Sequence, residues 1–255
     1  MSSPTWTPDA LSAEQRRLTG TCWRLVEAQH RVSTLKLVDS LDEQALLERL
    51  IEQTKPPVPP ECRHLHYLLS TPFRYGSVYP HGSRFRRAGM TPGVYYASRT
   101  VGTAVAEMTF HRLLFFADSP NTPWPANAAE FTAFSVRYLG AGIDLTAPPL
   151  SRDEAAWMNR TNYESCQALA DAARAAGVAL IRYRSVRDPS AGPNVALLSC
   201  KAFMQREPAE RQTWRIQLGR SGARAVCEFP EARIEFSRDA FSADPRIAGL
   251  NWDRT

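Results

Sequence analysis

Residues 82–107 read GSRFRRAGMTPGVYYASRTVGTAVAE. The stretch divides into a turn, a strand and the start of a helix. Its glycines suit tight turns, because a residue without Cβ reaches positive φ without a clash. Val94-Tyr95-Tyr96-Ala97 carries the β-branched and aromatic side chains that fit a pleated surface. Ser98 or Thr100 then stands where a helix N-cap belongs, ahead of a helix over 101–116. On that helix Val101, Val105, Met108 and Arg112 share one stripe, and Ala104, Glu107 and His111 share the next. Glu107 carries the one formal charge of VGTAVAEMTF, so its carboxylate is partly desolvated unless something pairs with it. Immediately upstream, the region from Arg74 adds Tyr75, Gly76 and Tyr79 to Arg84, Arg86 and Arg87. Arginines beside glycine-rich backbone can bind a pyrophosphate, and a tyrosine face can stack on an aromatic ring. Each piece also has a plainer reading: a helix glutamate at the core edge, a packed strand tyrosine, a solvated arginine loop.

The flanking sequence extends this pattern without repeating it. A short helix is expected over 8–18, and residues 21–32 read as a strand followed by an irregular segment. Ser40 precedes LDEQALLERLIEQ, in which Leu41, Ala45, Leu46, Leu50 and Ile51 fall near helical spacing, so an amphipathic helix is expected there. It must stop before Pro56-Pro57-Val58-Pro59-Pro60. Downstream, residues 131–139 alternate as a half-buried strand, with Gly140 and Gly142 as its expected end. Thr161-Asn162-Tyr163-Glu164 matches a capping box, opening a helix that stops at Gly177. Strands are expected over 178–183, 194–198, 214–218, 225–229 and 232–236. Strands and helices without regular βαβ alternation define an α+β fold class. The expected division is a leader over 1–20, one domain over 21–236 with a helical insertion at about 40–70, and a tail over 237–255.

Composition narrows the function classes. The 255 residues are 44% hydrophobic, enough for one sizeable core. No apolar run approaches the roughly 18 residues of a membrane span, and no basic segment precedes an apolar one at the start, so a cytoplasmic protein with no membrane contact is expected. Cys22, Cys62, Cys166, Cys200 and Cys227 are odd in number and form no CxxC pair, which points to reduced, buried thiols. Cys62, His64 and His66 lie close in sequence, but no second ligand pair follows at a zinc-like distance, and no metal is expected. The net charge is +5, carried almost wholly by arginine, with lysine at positions 36, 55 and 201 alone. The arginines are scattered and no nucleic-acid motif is present, so a noncatalytic nucleic-acid-binding module is the alternative ranked last and no direct nucleic-acid partner is expected. No GxSxG, GxGxxG or GxxxxGK[ST] motif occurs.

Three segments, in this order and spacing, resemble the RES-domain family, named for an arginine, a glutamate and a serine. Gly82-Ser83-Arg84-Phe85-Arg86-Arg87-Ala88-Gly89 with Pro92-Gly93-Val94-Tyr95-Tyr96-Ala97 resembles the family's glycine–arginine turn and tyrosine-bearing strand. Ala104-Val105-Ala106-Glu107 resembles the segment of the family glutamate, and Tyr183-Arg184-Ser185-Val186, with Gly192-Pro193-Asn194 beyond it, that of the serine. The resemblance spans roughly residues 21–236. It implies an ADP-ribosyltransferase-like split β-sheet core with flanking helices, around a cleft for NAD+ as substrate and with no further cofactor. It implies the toxin of a type II toxin–antitoxin system that cleaves NAD+ at the nicotinamide–ribose bond. ADP-ribose would then pass to a protein target, to water or to phosphate. The implied partner is an antitoxin of Xre-like, DNA-binding type. By the same resemblance Glu107 is the catalytic residue, Arg84 and one of Arg24, Arg31 or Arg74 clamp the substrate, Tyr95 stacks on nicotinamide, and Ser185 holds a ribose or phosphate oxygen. The turn reads Arg-Phe-Arg where the family favours Arg-Trp-Asn, and Arg184 stands before Ser185 where the family favours proline, which keeps Ser165 in reserve.

Overall fold

The computed structural model describes residues 6–28, 34, 37–76, 82–89 and 91–254. Eight strands run in chain order: β1 (Arg16–Glu27), β2 (Tyr95–Ser98), β3 (Ala129–Asp144), β4 (Leu180–Arg184), β5 (Pro193–Leu197), β6 (Arg211–Gly219), β7 (Gly222–Cys227) and β8 (Ala232–Ser237). The helices are α1 (Pro8–Ala13), α2 (Leu41–Thr54), α3 (Tyr67–Arg74), α4 (Val101–Asp118), α5 (Glu154–Trp157), α6 (Glu164–Ala175) and α7 (Pro245–Ala248), with 3-10 turns between some of them. The fold is α+β, built on one mixed sheet in the order β1-β2-β5-β4-β3-β6-β7-β8.

β3 organises this sheet, because its two edges are used differently. One edge pairs antiparallel with β1 from Arg16↔Gly142 to Glu27↔Phe131. The other is divided: residues 129–134 pair with β6, while Gly142, Ile143 and Asp144 run parallel to β4. Between the two halves an irregular segment closes on the exposed edge, through Met204 N–H to the Arg137 carbonyl and a reciprocal pair between Ser135 and residues 209–210. β1 also meets β2 at Trp23↔Ser98, so β1, β2, β5, β4 and β3 close into a ring, and β6–β8 continue outward as a meander. The sheet is split in this concrete sense.

Both faces are covered. α4 lays Ala104, Val105, Phe110, Leu113 and Phe116 against Phe131, Trp214 and Ile216. α6 packs Cys166, Leu169, Ala170 and Ala173 against Ile143, Ile181 and Ala196, with Leu11 of α1 alongside. α3 covers Tyr95, Val136 and Leu197 through Leu68, Leu69 and Phe73.

Three expectations about these elements are corrected. Gly140 and Gly142 do not end β3. The strand runs through them, because a Cβ at Gly142 would lie 2.8 Å from Leu180, and its absence lets β4 pack there. The first helix stops at Ala13, and the chain enters the sheet at Arg16. α6 opens without the capping box; Asn162 Oδ1 accepts the Glu164 N–H instead. α2 forms where expected, with Ser40 accepting the Glu43 N–H, but its apolar stripe is not buried, and Leu41 is 73% exposed. Residues 16–20 and the segment over 241–254 are not peripheral either. Residues 16–20 are β1, and in the last segment Phe241, Ile247 and Leu250 enter the α4 core while Arg254 donates to the carbonyls of Phe116, Ser119 and Thr122.

Candidate active site

A cavity of about 480 Å³ opens beside α4. β1 lines it with Trp23, Arg24 and Leu25, β2 with Tyr96, Ala97 and Ser98, and α4 with Ala104, Glu107, Met108, His111 and Leu114. Gly82, Ser83 and Arg84 enter from the turn, Tyr163, Tyr183, Val186, Arg187 and Asn194 from the far wall, and Arg246 from α7. Its volume falls in the range of roughly 300–1,000 Å³ typical of small-molecule sites.

Glu107 stands at the centre of the polar wall. Thr100 caps α4 by accepting the Thr103 N–H, which orients the first turns of the helix and carries Glu107 to the cavity. Oε1 accepts from the Ser185 hydroxyl at 2.6 Å and from Asn194 Nδ2 at 2.8 Å, and Oε2 accepts from Arg187 at 3.1 Å. The Ser185 oxygen in turn accepts the N–H groups of Arg187 and Asp188, so its own proton is left for the carboxylate. Burial pushes the Glu107 carboxyl up. Arg187, with help from the Ser185 hydroxyl and the Asn194 amide, outweighs it and holds the acid below its ordinary range. The carboxylate is thus ionised at neutral pH, and its side chain keeps 20% of its surface exposed.

Arg187 ties the wall together. Beyond Glu107 it lies 2.9 Å from His111 Nε2 and 3.2 Å from the Tyr163 hydroxyl. A guanidinium only donates, so His111 Nε2 is the acceptor and the imidazole is neutral with its proton on Nδ1. Burial first, then Arg187, push His111 down, although the exposed edge of the ring lets solvent screen part of that shift. Arg187 is pushed up by the Glu107 carboxylate against the effect of burial.

The expected site residues are placed unequally. Glu107 and Arg24 line the cavity, and Ser185 stands directly behind Glu107. Arg24 donates to the Tyr96 carbonyl at 2.7 Å and has no carboxylate partner among the described residues. Arg84 lines the cavity but is 6% exposed. Its guanidinium donates to the carbonyls of Trp157 and Asn159, over the Tyr163 ring, so it serves as a brace for the wall. Tyr95 is a correction: it is sealed in the core, edge-on to Phe203 at 5.0 Å, and Tyr96 faces the cavity in its place. Neighbouring strand residues point to opposite faces, so only one of the two could. Arg74 is a second correction, because it is absent from the cavity and pairs with Glu52 at 2.8 Å. Arg31 lies outside the described residues, as does Tyr79. Ser165 is exposed on α6.

Sequence reasoning assigned no role to Arg187, Asn194, Tyr163, His111 or Arg246. Signals for three of them were present: His111 sits one turn beyond Glu107, Arg187 follows Ser185 by two residues, and Asn194 closes the Gly192-Pro193-Asn194 segment. Tyr163 and Arg246 come from segments whose approach no local pattern reports. The five cysteines are buried free thiols, and burial pushes Cys22 up to about 12. No described helix is long and apolar enough to cross a membrane.

Residues 58–219 match the family model of the RES domain. Comparison with curated proteins gives no match. Among solved structures, the M. tuberculosis MbcT-MbcA toxin–antitoxin complex is similar at a TM-score of 0.47 and 13% identity, over 82% of this chain and 91% of that one.

Proposed function

The chain belongs to the RES-domain family, and on that footing we propose that it is the toxin of a toxin–antitoxin pair, cleaving NAD+ at the bond between nicotinamide and ribose. The observation that carries the reading is Glu107: an ionised carboxylate, held by three donors, in the wall of a cavity of small-molecule size. Nicotinamide in NAD+ is already cationic. As the C1′–N bond breaks, its electron pair passes to the pyridine nitrogen and neutral nicotinamide leaves. The ribose left behind becomes an oxocarbenium ion, and a fixed carboxylate stabilises that developing positive charge. Water, phosphate or a protein nucleophile then bonds to C1′ and gives up its proton to solvent.

The other residues divide the binding. Arg24, with no carboxylate partner among the described residues, takes the pyrophosphate as its counter-charge. Tyr96 and Tyr163 offer ring faces in place of Tyr95. Ser185 and Asn194 aim Glu107, and Arg187 keeps it ionised. An enzyme that drains NAD+ needs silencing, and an acidic antitoxin segment entering this arginine-lined cavity is the partner chemistry that fits.

Incubation of the purified chain with NAD+ labelled in the adenosine half tests the proposal. Free nicotinamide is expected, and the label tells the acceptor: protein-bound label means transfer, ADP-ribose means water, and its 1″-phosphate means phosphate. Glu107→Gln keeps the shape and loses the charge, and its rate is expected to fall at least ~100-fold. Wild-type nicotinamide release by that variant would remove Glu107 from the chemistry.

A further inference from the structure

The five cysteines stand in unequal surroundings. Cys22, Cys166 and Cys227 each lie against a backbone carbonyl, those of Val136, Trp157 and Phe229. Cys62 and Cys200 lie against each other. Cys62 ends a 3-10 turn at Pro60–Cys62, and Cys200 opens another at Cys200–Ala202, just beyond β5. The two turns pack together within one apolar cluster, where Cys62 is 1% and Cys200 4% exposed. The Cys200 thiol donates to the Glu61 carbonyl at 3.5 Å, so its sulfur is left to accept. The Cys62 thiol hydrogen-bonds to Cys200 and supplies the donor. Two sulfurs from segments far apart in sequence are therefore within hydrogen-bonding reach. Among the described residues no third ligand joins them to make a metal site.

A thiol pair in contact needs only a short approach to reach the ~2.05 Å of a disulfide. Access is the other requirement. Pro60, Glu61, Arg63 and His64 are exposed on one side and Lys201 on the other, so a single surface layer covers the pair. A bond there would also have an effect. α2 buries no residue, and Cys62 is the first buried residue the chain reaches after it. We propose that Cys62 and Cys200 form a modification site, closing to an intramolecular disulfide under thiol oxidants and fastening the α2 segment to the end of β5. Each sulfur gives up one electron and one proton. A two-electron acceptor, an azo compound or a low-molecular-weight disulfide, takes them up and leaves as a hydrazine or as thiols. Burial and the contact with Cys200 push the Cys62 thiol up, so closure is slow at neutral pH and quickens as pH rises. This inference is independent of the NAD+ reading.

The azo oxidant diamide, applied to the full folded chain at mildly alkaline pH, is the test. A mass lower by about 2 Da is expected, with two of the five thiols lost to alkylation in urea. A nonreducing digest is expected to yield one cross-linked species carrying Cys62 and Cys200. The melting temperature is expected to rise by roughly 5 °C or more and to return with dithiothreitol, because the bond closes a long loop of the unfolded chain. Cys200→Ala is expected to keep its four remaining thiols and a melting temperature that diamide does not move. Five alkylatable thiols after treatment would overturn the proposal. So would a bond that uses Cys22, Cys166 or Cys227 instead, or a closed pair that leaves the melting temperature unchanged. Should Cys200→Ala fail to fold, the digest and melting curve of the wild type still decide.

Discussion

At the residue scale, the chemistry turns on one carboxylate and the groups that set its charge. Glu107 is held below its ordinary 4.5, so its favourable interactions are in place above that pH and are lost as pH falls through the depressed value. His111 is neutral in the fold and held below its ordinary 6.5. Between those two values of its pKa the unfolded chain binds a proton that the folded chain refuses, so stability falls with pH in that window. The His111 window runs from pH 6.5 to about 4, so between 6.5 and 4.5 the decline belongs to histidine, and below 4.5 carboxylates join it and steepen it. His111→Gln, measured as the urea midpoint against pH, is therefore expected to flatten the decline from pH 6.5 to 4.5. His66, also pushed down by burial, is unchanged in that variant, so the difference between the curves reports His111. An undiminished slope would mean that the ring is already protonated beside Arg187.

At the element scale, the site is a meeting of α4 with the loop between β4 and β5. Ser185 N–H donates to the Gly192 carbonyl, and Asp188 takes the N–H groups of Ser190 and Gly192, so the loop is internally braced. It rests on the first turn of α4 at Gly192, where a Cβ would collide with Thr103 Oγ1 and Asp188 Oδ2. Gly192→Ala is expected to press the loop carrying Ser185 and Arg187 away from the helix carrying Glu107, or to turn the Thr103 and Asp188 side chains out of their contacts. A stability loss of about 1–3 kcal/mol is expected from the overpacking. The displaced Ser185 and Arg187 are expected to lower nicotinamide release at least ~10-fold. Gly219→Ala is the control, because nothing lies within 4 Å of its added carbon. Equal activity losses in the two variants would mean that the loop contact does not govern the site.

At the scale of the whole molecule, the matched region 58–219 does not contain the complete cavity wall. β1 brings Arg24 from before it and α7 brings Arg246 from after it. The last segment is also structural, since Phe241 is 3% exposed and meets the rings of Phe110 and Phe236. Phe241→Ala is expected to cost about 3–5 kcal/mol in urea unfolding, a large part of the ~5–15 kcal/mol that holds a typical domain. A loss below ~1 kcal/mol would mean that the segment merely rests on the core. The α+β class and a helix with Glu107 and His111 on one stripe, capped by Ser98 or Thr100, were legible in the chain, because they depend on caps, periodicity and turns within a few residues of one another; the serine segment was legible only through its resemblance to the family pattern. Tertiary structure decided the rest. It carried β3 through its two glycines to reach Leu180, turned Tyr96 instead of Tyr95 to the cavity, held Arg74 away on Glu52, and set Arg187 against Glu107. Those outcomes follow from contacts between segments far apart in sequence, and local spacing carries no record of which distant surface a side chain will meet.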